Sequence, residues 1–319
     1  MPLSASTPAV SVIIPTFRRE DCIEETLESV FAQTFRDFEV IVVNDGSPDN
    51  TAARLRPWVE SGRIRYHEQP NGGQSAARNQ GIGLARGEFL ALLDDDDLWP
   101  ADKLEWQVAR LRQDPRAVLC YGYAESFGLE HNYRVPSDQG PQGNVGDALI
   151  RGNPISSPGQ ALVRAETVRK IGAFDPAIRG AEDWDLWIRL GQTGTFIYEN
   201  RIALHYRQQP QNSVSSNPRK MFGAGIQVLR KHCGQTPFSG RAKLWLRCRA
   251  FIGRYSAMIA LGQALHAGRE HRTSVVFRRL ALALRFYPVL PATRVFWRIF
   301  YRSTLARPPR DTAKAAAAK

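Results

Sequence analysis

Phe89-Leu90-Ala91-Leu92-Leu93 runs directly into Asp94-Asp95-Asp96-Asp97, and that junction decides how the rest of the chain is read. Five apolar residues in a row have the length and composition of a strand buried on both faces. Four like charges at the end of such a strand repel one another at close quarters. They become favourable when strong positive charge sits among them, and a divalent cation is the usual source. Carboxylate oxygens suit Mg2+ or Mn2+, which commonly take substrate phosphates as further ligands. The plainer alternative is a solvated acidic turn, with Asp97 or Asp102 near the start of the following helix.

Upstream, the same punctuation repeats. Val10 to Pro15 reads as a buried strand that runs out into Thr16-Phe17-Arg18-Arg19. Ile23, Leu27, Val30 and Phe31 then recur at helical spacing behind the acids Glu20, Asp21, Glu24 and Glu25. Phe38 to Val43 is a second strand, ending in Asn44-Asp45-Gly46-Ser47. Ile64 to His67 is a short third strand, and a helix over Ser75–Ala85 follows the turn Asn71-Gly72-Gly73. Alternating strands and helices argue for an α/β fold, a mostly parallel Rossmann-like sheet with helices on both faces. Ligands bind such sheets outside the carboxyl ends of the strands. Pro15-Thr16-Phe17, the Asp45 loop and the aspartate run all lie there. Metal on the aspartates would carry a diphosphate, Asp45 would accept from a base or ribose, and Phe17 would stack on the base. Arg78 is placed to answer phosphate charge. A turn pair, a core aromatic and a surface cation are the plain alternatives for these three.

Composition bounds the class. A chain of 319 residues with 43% hydrophobic content can build one large or two smaller cores. Cys22, Cys120, Cys233 and Cys248 form no CxxC pair, which predicts neither a zinc site nor a disulfide framework and fits a reducing cytoplasm. Met1 to Ser6 lacks the basic-then-apolar pattern of a signal peptide, and no apolar stretch reaches membrane-spanning length. The net charge of +12 divides unevenly. Residues 219–319 carry 21 Lys+Arg against Glu270 and Asp311, whereas residues 1–218 carry 22 against 29 acids. An acidic body followed by a basic region points to an anionic surface as a partner.

The stretches VSVIIPTFRRE, FEVIVVNDGSPDNT, NGGQSAARNQGIGLARGEFLALLDDDDLWPADKLEWQ, IGAFDP and GAEDWDLWIRL, in this order over roughly residues 9–215, resemble the inverting family 2 glycosyltransferases of GT-A fold. That resemblance implies transfer of a sugar from a nucleotide diphosphate, usually UDP, with Mg2+ or Mn2+. It implies that Pro15, Thr16, Phe17, Asp45, Arg78 and Asp94 bind the nucleotide and that Asp96, with Asp94, holds the metal. Asp97 reinforces the site or faces the acceptor. Glu182-Asp183 supplies the general base, with Asp183 at the base position. An inverting displacement needs such a carboxylate to take the proton of the attacking hydroxyl. Trp184 is expected in a sugar-binding wall, Trp187 in the core, and Asp185 with Arg189 in a local i,i+4 pair. Two departures stand out. Asn44 replaces the first acid of the family's frequent DDGS. Gln209, in Tyr206-Arg207-Gln208-Gln209-Pro210, replaces a histidine, which leaves His205 or Gln209 as candidates for a third metal or diphosphate contact.

The expected organisation is a catalytic domain over 1–218, a basic amphipathic helical region over 219–310 and a disordered tail over 311–319. In the helical region Leu244, Cys248, Phe251, Ile252 and Tyr255 form one stripe, and Val276, Leu280, Ala283, Leu284 and Tyr287 another. Arg294, Arg298 and Arg302 line a last segment opposite Val295, Phe296, Ile299 and Phe300, with Trp297 and Tyr301 at the border. Such a segment suits an anionic membrane surface, engaged through residues 241–310. The expectation is a cytoplasmic protein, peripheral at the inner face of the cell membrane, acting on a glycan or lipid-linked acceptor. No nucleic-acid module is recognisable. A catalytically silent sugar-nucleotide binder and a sugar nucleotidyltransferase are the alternatives. The second lacks support, because the first loop has no glycines for a triphosphate.

Overall fold

The computed structural model describes residues 7–128, 140–208, 217–233, 238–270, 272–294, 296, 297, 299 and 300. The chain divides into two compact units, Met1–Pro210 and Gln211–Lys319.

The first unit is built on a seven-stranded sheet. Its strands are β1 (Val10–Thr16), β2 (Phe38–Asn44), β3 (Arg65–Glu68), β4 (Phe89–Leu92), β5 (Ala117–Phe127), β6 (Ala161–Arg164) and β7 (Thr195–Arg207), in the order β3-β2-β1-β4-β6-β5-β7. The β1, β2, β3 and β4 pairings are parallel, β6 runs antiparallel to both β4 and β5, and β5 pairs in parallel with β7. Between the strands lie α1 (Ile23–Phe31), α2 (Thr51–Glu60), α3 (Gln74–Leu84), α4 (Lys103–Gln113), α5 (Gly146–Arg151), α6 (Ala165–Lys170) and α7 (Glu182–Gly191).

Strand alternation sorts the two faces. Val10, Val12 and Ile14 of β1, with Phe89, Ala91 and Leu93, share one core with Ile23 and Leu27 of α1, Leu55 of α2 and Leu104 and Leu111 of α4. Ile13 points the other way, onto α3. A Cβ on Gly81 would lie 2.3 Å from Ile13 Cγ2, so only glycine lets α3 pack this close. The central strands read as mainly apolar runs, interrupted by Ser11 and Glu39, because both faces are covered.

The second unit contains α8 (Pro218–Cys233), α9 (Phe238–Arg269) and α10 (Thr273–Phe286). Ala257, Leu261 and Ala264 of α9 pack with Val276, Leu280 and Ala283 of α10. Gly225 of α8 meets Ile252 of α9, and Phe222 of α8 stacks on Phe286 of α10 at 4.9 Å. The expected stripes are partly corrected. Cys248 and Ile252 are buried, but Phe251 and Tyr255 stand exposed. Phe296 is buried in the helical core, with Ile299 and Phe300 packed against it. Phe296, Ile299 and Phe300 of that last segment therefore pack on protein, while Trp297 stands exposed. Arg298, Arg302, Tyr301, Val295 and the 311–319 tail lie outside the described residues. Among the described residues no helix is long and apolar enough to cross a membrane.

Candidate active site

The carboxyl ends of β1, β2 and β4 bring together the three loops singled out in the sequence. Asp45, just beyond β2, is 4% exposed, and its carboxylate is fully engaged. The backbone N–H groups of Gly72 and Gly73 each donate to it at 2.8 Å, as does Gln69 Nε2. Gly46, at φ +72°, lets the Asn71 turn approach so closely that a Cβ there would stand 3.1 Å from Asn71 N. The turn after β3 thus holds Asp45 in one orientation. Phe17 at the end of β1 is half-buried, and its backbone N–H donates to Asp95 at 3.0 Å.

The four aspartates separate into different environments. Asp94 accepts from Arg78 Nη2 at 2.6 Å and from Gln74 Nε2 at 3.1 Å, both from α3. Asp95 and Asp96 share one guanidinium, with Arg19 Nε and Nη2 each 3.2 Å from a carboxylate oxygen. Asp97 is fully buried and accepts the Arg207 backbone N–H at 2.8 Å, but its Oδ2 has no hydrogen-bond partner among the described residues. The solvated-turn alternative is thereby set aside, because Asp95 and Asp97 are interior groups. Burial is the main cause raising their carboxyls, Asp95 to about 7 and Asp97 well above the ordinary range, with neighbouring aspartates adding to it. Asp96 is raised by burial and then by Asp94.

Arg78 connects this turn to the second acidic pair. It is 2% exposed, bonded to Asp94 and 3.4 Å from Glu182 Oε1, with its guanidinium 5.2 Å from the Phe174 ring. Glu182 and Asp183 open α7. Glu182 also accepts the Gly180 N–H at 2.6 Å. Asp183 accepts Asn153 Nδ2 at 3.3 Å and the Trp184 N–H at 2.7 Å. Burial, and then the charge of Glu182, raise the Asp183 carboxyl to about 7. Trp184, expected at a sugar-binding wall, is instead 4% exposed, and its indole N–H donates to the Leu149 carbonyl at 2.6 Å. Its ring belongs to the interior between α5 and α7. Trp187 is fully buried, and Asp185 pairs with Arg189 at 2.8 Å, as the spacing predicts.

β7 closes the site from the far edge. Leu98 and His205 exchange backbone hydrogen bonds at 3.0 and 2.8 Å, and Arg207 Nε donates to the Asp96 carbonyl at 2.8 Å. The His205 imidazole stands 4.0 Å from Glu125. Its clear contribution is the backbone clasp on the aspartate turn. Gln209 lies outside the described residues. Arg19, Arg207 and Asn153 were not singled out from the sequence. Arginines near acids and an asparagine in an irregular stretch carry no periodic signal.

The guanidiniums of Arg19 and Arg78 here pair with Asp94, Asp95, Asp96 and Glu182, and that of Arg207 bridges the Asp96 carbonyl and the Glu25 carboxylate. Among the described residues no three His, Cys, Asp or Glu side chains already converge as metal ligands. The orphaned Asp97 Oδ2, and carboxyls raised by burial and then by neighbouring acids, mark a turn whose charged form a cation would favour. The donors are hard oxygens, so the residues fit Mg2+ or Mn2+, which need few protein ligands when phosphates complete the shell.

Comparison with known proteins agrees with this geometry. Residues 11–172 match the family model described as Glycosyl transferase family 2. The chain belongs to that family, and its fold is GT-A. It is 32% identical over 219 residues to the putative teichuronic acid biosynthesis glycosyltransferase TuaG of Bacillus subtilis, a match covering 67% of this chain and 84% of that protein. An uncharacterized glycosyltransferase of Rickettsia felis is 30% identical over 226 residues, with 68% of this chain and 37% of that protein covered. The chain thus spans little more than a third of that relative. Among solved structures, Staphylococcus aureus TarS 1–349 with UDP-GlcNAc superposes with a TM-score of 0.56 at 17% identity, covering 85% of this chain and 89% of that one. The mannosyltransferase PcManGT of Pyrobaculum calidifontis, in complex with GDP-Man and Mn2+, gives 0.59 at 20% identity, covering 94% and 85%.

Proposed function

We propose that this chain is an inverting, metal-dependent hexosyltransferase that moves a sugar from a nucleotide diphosphate, a UDP-sugar, to a hydroxyl of a glycan or lipid-linked glycan. The observation that carries the reading is Arg78, which ties Asp94 of the aspartate turn to Glu182, next to Asp183. Donor-side and base-side acids are thereby held at one cleft.

In this reading Pro15, Thr16 and Phe17 line the nucleotide site and Asp45, pre-oriented by the Gly72-Gly73 amides, reads the base. Asp96 and Asp94 would hold Mg2+ or Mn2+, with Asp97 behind them. The cation, when bound, offsets the charge of the leaving diphosphate. Asp183 takes the proton from the attacking hydroxyl. A carboxyl raised to about 7 is well matched to that task near neutral pH, since an ordinary carboxylate is too weak a base. Asn153 and the Trp184 N–H fix its orientation. Neighbours that bind UDP-GlcNAc or GDP-Man, and a relative named for teichuronic acid synthesis, support a sugar nucleotide donor and a cell-surface glycan acceptor. The basic helical unit seats the protein on the anionic inner leaflet of the cell membrane.

A donor-hydrolysis screen with UDP-, GDP- and dTDP-sugars in Mn2+ or Mg2+ tests this. Nucleotide release from one UDP-sugar, abolished by chelation, by Asp96→Ala and by Asp183→Asn, is expected. No release in the presence of candidate acceptors, together with no metal-dependent nucleotide binding, would overturn it.

A further inference from the structure

Large exposed apolar side chains are unevenly distributed over the described residues. Leu246, Phe251, Tyr255, Met258, Phe277, Val289 and Trp297 belong to the helical unit, and Val59 alone to the catalytic unit. The same helical unit carries all of the excess positive charge, since the rest of the chain is net acidic. Exposed apolar surface concentrated in a cationic segment is unusual for a surface that only has to stay in water.

Helix geometry places much of it on one side. At about 100° per residue, Phe251, Tyr255 and Met258 of α9 share an arc of roughly 100° with Arg247 and Arg254, all of them exposed. On α10, Phe277, Arg278, Ala281 and Arg285 share another exposed arc of about the same width. The two helices are joined by residues 270–272 and form an antiparallel hairpin, with Gly253 near the start of the α9 contact packed on the Phe286 carbonyl at the end of α10. Their shared seam is Ala257, Ala260, Leu261 and Ala264 against Val276, Leu280 and Ala283. The exposed arc lies about 120° round from that seam on α9 and about 145° round on α10, and in antiparallel helices these rotations have opposite sense when viewed from one end. Both arcs therefore rise on the same side of the hairpin. Ile252 and Phe286, which contact α8, fall on the other side.

We propose that this aromatic and arginine face of the α9–α10 hairpin is the surface that lies on an anionic lipid bilayer. It rests on the membrane assignment made above and replaces the residue 294–302 segment as the contact. Phe277, Met258 and their neighbours enter the headgroup boundary, while Arg247, Arg254, Arg278 and Arg285 pair with lipid phosphates. Charge complementarity selects this occupant over a neutral protein surface. Each arginine near an anionic leaflet adds to binding, and aromatic side chains hold the depth.

Flotation of the full chain with phosphatidylcholine vesicles, with and without 30 mol% phosphatidylglycerol, tests the assignment. Wild type is expected to float with the anionic vesicles at least tenfold more than with neutral ones. Met258→Ser/Phe277→Ser and Arg278→Glu/Arg285→Glu should each reduce that partition at least tenfold, whereas Arg56→Glu, an exposed position of the catalytic unit, should change it less than twofold. The substituted residues are exposed, and donor hydrolysis and circular dichroism report retention of the fold. Unchanged partition in both double variants would overturn the proposal, as would equal flotation with neutral vesicles. So would tighter binding to a 20-nucleotide RNA than to anionic vesicles. Loss of donor hydrolysis in wild type with flotation intact would instead count against the transferase reading.

Discussion

Replacing Arg78 by methionine keeps an unbranched side chain but removes the guanidinium that lies between Asp94 and Glu182, 5.2 Å from the Phe174 ring. The side chains of Arg78, Asp94 and Glu182 are 3, 20 and 9% exposed, so the pairs are screened little by water. At 2.6 Å, an effective dielectric near 20 gives a gross attraction to Asp94 of about 6 kcal/mol. Desolvation of Arg78 offsets part of this, and losing one partner of a buried pair typically costs about 3–5 kcal/mol. Urea unfolding followed by tryptophan fluorescence should show that loss for Arg78→Met, or a fall in melting temperature of roughly 6–20 °C. The diagnostic variant is Arg78→Met/Glu182→Gln, which removes the more deeply buried of the two stranded carboxylates. It should recover at least about 1 kcal/mol relative to the single variant, since the cost lies in the unpaired carboxylate. A loss below about 1 kcal/mol for Arg78→Met, or a double variant worse than the single one, would refute the idea that Arg78 binds the two acidic clusters together.

Donor turnover should fall tenfold per pH unit below about 7 and level off above it, because Asp183 acts deprotonated, and Asp183→Asn should lower kcat by about 10²–10⁴. Asp95 is raised on folding to about 7, so its protonated form stabilises the metal-free fold most at low pH. Relative to Asp95→Asn, wild type should lose up to about 1.4 kcal/mol per pH unit as pH rises from about 4 to about 7, with a constant gap above; a flat difference in urea midpoints would contradict this. Gly81→Ala should cost about 1–3 kcal/mol in the same assay, since its Cβ would press on Ile13 Cγ2 across the α3–β1 contact.

The parallel half of the sheet was readable because both of its faces are covered, which leaves mainly apolar runs at Val10–Pro15 and Phe38–Val43, broken only by Ser11 and Glu39, and an unbroken one at Phe89–Leu93. The aspartate turn was readable for a different reason: like charges in a row at a strand end demand an explanation. The antiparallel insertion of β6 and the 13-residue β7 carry no comparable signal, because their pairing depends on long-range register. Trp184 misled because an aromatic next to a candidate base suits a sugar wall and an interior equally well. Only the Leu149 carbonyl on its indole decides for the interior. Arg19 and Arg207 were invisible as site residues for the same reason: what matters is which carboxylates surround them in space. In the helical unit, periodicity found the buried stripes at Ile252 and Leu280 but not which aromatics were left outside.

The clasp formed by Leu98 with His205, and by Asp96 and Asp97 with Arg207, bears on where this chain can be cut. The family match ends at residue 172, more than thirty positions before those contacts. A fragment trimmed to the matched region would keep Asp45 and all four aspartates of the turn. It would nevertheless lose α7 with its carboxyl pair, the outer strand that pairs with β5, and the two amide anchors that keep the acidic turn folded inward. Sequence likeness and the smallest working piece therefore have different ends, and the second lies no earlier than Arg207.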